Sequence, residues 1–210
     1  MIDLHMHSIF SDGTFTPEEL IAEGVRAGLK AMALTDHDTV GGVPRFQAAA
    51  QQAGMRVLTG VEVSADATSG TMHVLGYAVE PKNPSLIQHL AWIREGRDAR
   101  NQEILQKLNR LGLHLTYEDI TAHAGADVVG RPHFAQAMIA KGYARDKKDA
   151  FDRFLGRGKA AYAERRRLDP AGTMELIRSA GGVPVLAHPF TLKLEGAALK
   201  RGLQELVDVG

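Results

Sequence analysis

Two histidines, His5 and His7, stand two residues apart in the opening stretch IDLHMHSIFSDG. Their neighbours Ile2, Leu4 and Met6 are apolar, so an extended strand puts Asp3, His5 and His7 on one face and the apolar set on the other. Two imidazoles so placed can converge on one ion, and they can equally be the polar face of a half-exposed strand. Further donors follow along the chain. Asp12 lies just beyond, Asp36, His37 and Asp38 end KAMALTDHD, Glu62 lies in RVLTGVEVSA, His73 in TMHVLGYAV and His188 in VPVLAHP. Taken singly, each is an ordinary polar strand end. Taken together, five apolar stretches each carry a nitrogen or oxygen donor, which is the pattern of a shared metal site. The chain has no Cys, which excludes disulfides, thiolate ligands and cysteine nucleophiles. A metal held only by imidazole and carboxylate suits Mn, Fe or Zn.

The elements that must position these donors alternate in type over the first third of the chain. MIDLHMH reads as a strand. TPEELIAEGVRAGLK reads as a helix, with Thr16 as N-cap, Pro17 at the first position and Glu19 closing a capping box. KAMALTDHD is a second strand, then a helix covers 43–53 and stops at Gly54; RVLTGVEVSA and TMHVLGYAV are the third and fourth strands. Strands joined by helices favour a parallel sheet or barrel, in which ligands gather at the carboxyl ends of the strands. His73 fits that rule only if its strand runs the other way or begins at the rim. From 84 to 168 the pattern becomes helical, with one long amphipathic helix over 85–111 and shorter ones near 117–124, 132–141 and 147–155. Asp169 and Pro170 then open another helix, VPVLAHP is a fifth strand, and one more helical stretch follows.

The formal net charge is zero, yet residues 1–80 carry four Arg/Lys against ten Asp/Glu, and 141–167 carry ten against four. The asymmetry is that of a solvated basic helical face, or of an acidic, metal-holding part and a basic part that receives an anion. In the helical block Arg94, Arg97 and Arg100 recur every three residues, so neighbours share part of a helix face. In GRPHF, Pro132 opens a helix with Arg131 and His133 at its anion-attracting N-terminus. His89, His114 and His123 have no ligand-spaced neighbours and read as surface or packing residues. No basic-then-apolar leader precedes the first strand, and no apolar run approaches the roughly 18 residues of a membrane span, so a cytoplasmic protein without membrane contact is expected.

In order along the chain, DLHMHSIFSDG, ALTDHD, GVEVS, HVLGY, GRPHF and LAHP resemble the PHP (polymerase and histidinol phosphatase) superfamily, and within it the branch of nucleoside 3',5'-bisphosphate phosphatases and 5'-to-3' oligoribonucleases. The resemblance implies an α/β fold, a PHP-type distorted (β/α)7 barrel. Residues 1–84 and 168–210 would form the barrel, incomplete at the C-terminus, and 85–167 a helical insertion covering the active site. It implies two or three divalent ions, Mn first, with Fe and Zn as alternatives. His5, His7 and Glu62 would hold one ion, with Glu62 bridging to a second on His73 and His188, and Asp12 and His37 would hold a third. The implied reaction is hydrolysis of a phosphate monoester of a small nucleotide, and of the 5' ends of short RNA, by water activated on the ions. Asp38 or a site histidine such as His188 would handle the leaving-group proton. Arg97, Arg100, Arg131 and His133 would bind the non-scissile phosphate, with Lys159 a weaker candidate and 165–167 helping longer RNA approach.

Family members carry a later GxE-type strand and a final Asp-x-His that this sequence lacks, so it reads as a member that stops before its last strands. Three alternatives stay open at this level: a phosphatase for another small monoester such as histidinol phosphate, an inactive metal-binding fragment, and a basic nucleic-acid-binding module. Oligomeric state is not legible.

Overall fold

A computed structural model describes residues 1–124 and 129–209. Its five strands form one sheet in chain order: β1 (Asp3–Met6), β2 (Ala31–Leu34), β3 (Arg56–Ala65), β4 (Met72–Tyr77) and β5 (Val183–Leu186). β1, β2 and β3 are parallel, β4 is antiparallel to β3, and β5 is antiparallel to β4. The reversal of β4 is the consequential feature. Its first residues lie where β3 ends, with His73 opposite Ser64 and Met72 opposite Ala65. The His73 anomaly therefore resolves in favour of a strand running the other way.

α1 (Pro17–Arg26) and α2 (Val43–Ala53) cross between the parallel strands. α1 starts where Thr16 Oγ1 accepts the Glu19 N–H at 3.2 Å and Glu19 Oε2 accepts the Thr16 N–H at 2.8 Å. α2 ends at Gly54, whose φ of 66° is the left-handed geometry that stops a helix. Leu20, Ile21, Met32, Leu34, Phe46 and Ala50 form the core beneath these two helices. A second core joins Val61, Val63 and Val74 of the sheet to Met174 and Ile177 of α7 (Pro170–Ser179), a helix that begins where Asp169 Oδ1 accepts the Gly172 N–H at 2.7 Å.

The long helix α3 (Pro84–Arg110) divides between two compact units, one of residues 1–93 with 167–210 and one of 94–166. The division falls inside the helix, whereas the sequence pattern put it at 85, because Leu86, Leu90 and Ile93 pack into the core of the first unit. The second unit has its own core of Ile104, Leu108, Phe134, Met138 and Leu155. Its helices are α4 (Tyr117–Thr121), α5 (Arg131–Ala140) and α6 (Lys147–Ala150), the last running into a π-type turn over Phe151–Leu155. α8 (Gly196–Asp208) closes the described chain.

Among the described residues the sheet is not closed into a barrel. β1 and β5 are its outer strands, and Val183 and Val185 of β5 are 59% and 41% exposed. The sheet is nonetheless curled strongly. The rings of His5, on β1, and His188, just after β5, lie 5.7 Å apart and stacked. No helix among the described residues is long and apolar enough to cross a membrane.

Candidate metal centre

Glu62 is the hub. Its side chain is 1% exposed, and its two oxygens face five imidazoles. Oε1 lies 2.9 Å from His73 Nδ1 and 2.7 Å from His188 Nε2. Oε2 lies 3.0 Å from His5 Nε2, 3.1 Å from His7 Nε2 and 3.3 Å from His37 Nδ1. Asp12 stands on the far side of two of these rings, with Oδ1 3.3 Å from His7 Nδ1 and Oδ2 3.5 Å from His37 Nε2. All seven residues expected as ligands are thus drawn to one place in the first unit. All of them except Asp12 border a pocket of about 580 Å³, with Thr71, Phe190, Thr191 and Lys193 on its wall.

The donor set fits a cation better than it fits hydrogen bonding alone. A carboxylate has about four lone-pair sites, and five imidazoles compete for them here. Donor atoms of His5, Glu62 and His188 lie within 4.8 Å of one another, and so do those of His7, His37 and Glu62. Glu62 is common to both groups, as a bridging carboxylate requires. The grouping pairs His5 with His188 and His7 with His37, whereas the family pattern pairs His5 with His7.

Charge is distributed to match. Burial opposes ionisation of Glu62, but hydrogen bonds from His5, His7 and His73 and the proximity of His37 outweigh it and hold the carboxyl well below the usual range. At His37 burial dominates over Glu62 and Asp12 and pushes the imidazole down to about 4. At His7 burial also pulls down, yet the hydrogen bond to Glu62 and the charges of Asp12, Glu62 and Asp36 prevail, and the net direction is upward. Two rings sharing the same carboxylates are split, with the proton favoured on His7 and His37 left neutral.

The local sequence explains how His7, Asp12 and His37 are held. Asp36 is 1% exposed and accepts three hydrogen bonds at 2.7 Å, from the Ser8 N–H, Ser8 Oγ and Ser11 Oγ, so it pins the loop that carries Asp12. That loop closes tightly at Gly13, where a Cβ would sit 2.1 Å from the His7 carbonyl oxygen. Asp38, at φ 53°, accepts from the Ser64 N–H at 2.7 Å and Ser64 Oγ at 3.0 Å. In TDHD, then, a ligand candidate stands between two buried carboxylates that clamp the neighbouring strands. Asp38, expected to handle a proton, is fully buried on Ser64 and is not among the residues bordering the pocket. Asp3 accepts the backbone N–H of His5 at 3.2 Å and so fixes that residue's main chain.

The residues expected to bind a second phosphate belong to the second unit. Arg97 and Arg100 lie on α3, and Arg100 is 6% exposed. The Arg131 guanidinium lies 5.2 Å from the centre of the Tyr162 ring. His133 Nδ1 accepts the Gly130 N–H at 3.1 Å and so caps its own helix. The sequence reading missed Thr71, Thr191 and Lys193 on the pocket wall, and the clamps Ser8, Ser11 and Ser64. Ser8 and Ser11 adjoin His7 and Asp12 in the sequence, and the others follow or precede a singled-out residue by two to five positions.

Relatives extend the chemistry that this geometry supports. A 5'-3' exoribonuclease from Haemophilus influenzae is 32% identical, over 95% of this chain and 72% of that protein. A 3',5'-nucleoside bisphosphate phosphatase from Chromobacterium violaceum is 34% identical, over 90% of this chain and 66% of that one. Among solved structures, a metal-dependent phosphoesterase from Bifidobacterium adolescentis matches with a TM-score of 0.80 at 27% identity, over 100% of this chain and 74% of its own. An amidohydrolase from Chromobacterium violaceum with bound sulfate matches with a TM-score of 0.84 at 32% identity, over the same shares. Fold, donor set and relatives together define a metal-dependent phosphoesterase, a hydrolase of phosphoester bonds. The chain belongs to the PHP domain family, whose pattern matches residues 3–166.

Proposed function

We propose that this protein hydrolyses a phosphate monoester of a nucleotide, a nucleoside 3',5'-bisphosphate, and acts on the 5' ends of short RNA, as its relatives' names describe for them. The observation that carries the reading is the buried Glu62 carboxylate facing five imidazoles at the rim of the sheet. Two or three divalent ions are the cofactors, with Mn the first choice for this nitrogen and oxygen set and Fe or Zn next. When bound, such ions activate water near neutral pH, neutralise phosphoryl oxygens and stabilise the departing oxygen.

The chain's own residues hold and shape that site. Glu62, with His5 and His188 on one side and His7 and His37 on the other, supplies the central ligands, and His73 and Asp12 complete them. Asp36 and Asp38 keep the His7, Asp12 and His37 side in place. Asp38 or a site histidine such as His188, which has one nitrogen on Glu62 and the other on Thr191, is assigned the leaving-group proton. Arg97, Arg100, Arg131 and His133 are assigned the non-scissile phosphate, on their sequence pattern and the resemblance. A soluble nucleotide substrate implies a cytoplasmic enzyme.

The test is a comparison of substrates with the Mn²⁺-loaded protein. Adenosine 3',5'-bisphosphate and short 5'-phosphorylated RNA are expected to be hydrolysed well ahead of histidinol phosphate. A preference for histidinol phosphate overturns the assignment.

A further inference from the structure

A single turn, Pro189–Leu192, follows His188 and is fixed to the first unit beyond Phe190. Thr191 Oγ1 donates to the Thr71 carbonyl at 2.9 Å, and the Thr71 N–H donates to the Thr191 carbonyl at 2.9 Å. Gly70 allows this closeness. Its φ is +62°, and a Cβ there would stand 2.1 Å from the Thr191 carbonyl oxygen. Leu192 is buried in the core, and the Lys193 N–H donates back to the Phe190 carbonyl at 3.2 Å, with Lys193 itself at φ 55°. A backbone held at this many points cannot withdraw the side chain of Phe190, which is 79% exposed.

One exposed apolar side chain is ordinary on a protein surface. The position of Phe190 is not. It borders the pocket that holds the histidines, and its ring centre lies 5.9 Å from that of His188. The two rings are tilted by 58°, so they do not stack, and a face of Phe190 is left open. A free aromatic face is what a heteroaromatic base covers, whichever base it is. A sugar phosphate without a base has nothing to lay on it. Lys193 is exposed on the wall of the same pocket. An apolar partner surface seated on Phe190 would strip water from that ammonium without pairing it, whereas an anionic nucleotide complements it.

We propose that Phe190 is the platform on which the base of the nucleotide stacks, and so the residue that selects a nucleotide over a phosphorylated sugar. The proposal rests on the reading of this pocket as a nucleotide phosphoesterase site, and its test separates the two. Calorimetric titration of the Mn²⁺-loaded protein compares adenosine 5'-monophosphate with ribose 5-phosphate, the same molecule without its base. Wild type is expected to bind the nucleotide about tenfold to a hundredfold more tightly. Phe190→Ala is expected to lose that preference by weakening the nucleotide alone, and Phe190→Tyr, which restores the ring, to keep it. Equal affinity for both ligands in wild type overturns the platform, and so does a preference unchanged in Phe190→Ala. If wild type hydrolyses adenosine 3',5'-bisphosphate while showing no preference for the base, the platform falls and the phosphoesterase reading stands. If it prefers the nucleotide through Phe190 yet hydrolyses no phosphate ester, the platform stands and that reading falls. Self-association that is lost in Phe190→Ala, with nucleotide affinity unaltered, makes the ring a contact between copies and overturns the proposal.

Discussion

The two walls of the centre are built by different means. On the β1–β3 wall, His7, Asp12 and His37 are braced by Asp36 and Asp38, buried carboxylates that take hydrogen bonds from Ser8, Ser11 and Ser64. On the β4–β5 wall, His73 and His188 are braced by one hydroxyl and a pair of main-chain contacts between Thr71 and Thr191, next to an outer strand with exposed valines. The first wall is anchored in the core and the second at an edge. Charged hydrogen bonds in a buried setting are about twice as strong as neutral ones, so perturbing the first wall is expected to cost stability, and perturbing the second to cost ligand geometry.

Removing what the walls share has the largest effect. Glu62→Gln is expected to lower Mn²⁺ affinity and phosphoester hydrolysis by more than about a hundredfold, beyond the range of outer-shell changes. Bound metal by elemental analysis and turnover by phosphate release check it. Metal content equal to wild type would remove Glu62 from the centre.

Asp36→Ala attacks the first wall alone. It strands the Ser8 N–H and two hydroxyls that now share a buried charge, and bonds of this kind contribute about 1.5–3 kcal/mol each. A loss of about 4 kcal/mol in denaturant unfolding of the metal-stripped protein is expected. Gly70→Ala attacks the second wall. An alanine at φ +62° with its methyl on the Thr191 carbonyl must displace the loop, at about 2 kcal/mol. The informative readout is metal stoichiometry, which should fall by one ion while His7, His37 and Glu62 still bind. Equal stability losses in the two variants, with stoichiometry unchanged in both, would erase the distinction between the walls. Thr16→Ala is the control with the smallest effect. It removes the α1 cap for about 1 kcal/mol of stability and leaves metal binding as in wild type.

Much of this wall-building was legible in the sequence, and the reasons it was or was not are physical. Strands ending in donors stand out because an apolar body with a polar tip is what a sheet rim demands, so His5, Glu62 and His188 could be read directly. Helix starts at Thr16 and Asp169 and the stop at Gly54 follow from local hydrogen bonding and backbone geometry. The direction of β4 is a matter of long-range pairing, and only the misplaced His73 hinted at it. Asp36 and Asp38 looked like catalytic or ligating acids, since nothing in a sequence distinguishes a carboxylate aimed at a cavity from one aimed at a serine. The division of α3 between two cores was hidden for a similar reason, as one uninterrupted amphipathic helix can serve two neighbours in succession.

The curl that stacks His5 on His188 bears on how the molecule folds. The outermost strands come from opposite ends of the described chain, while Glu62 lies on the strand between them. Their meeting is a contact of very high sequence separation, whose loop-closure cost is met late and slowly. Refolding in the presence of Mn²⁺ should therefore leave the early phases unaltered and act on the final one, since Glu62 first faces His188 as well as the β1 histidines when β5 arrives.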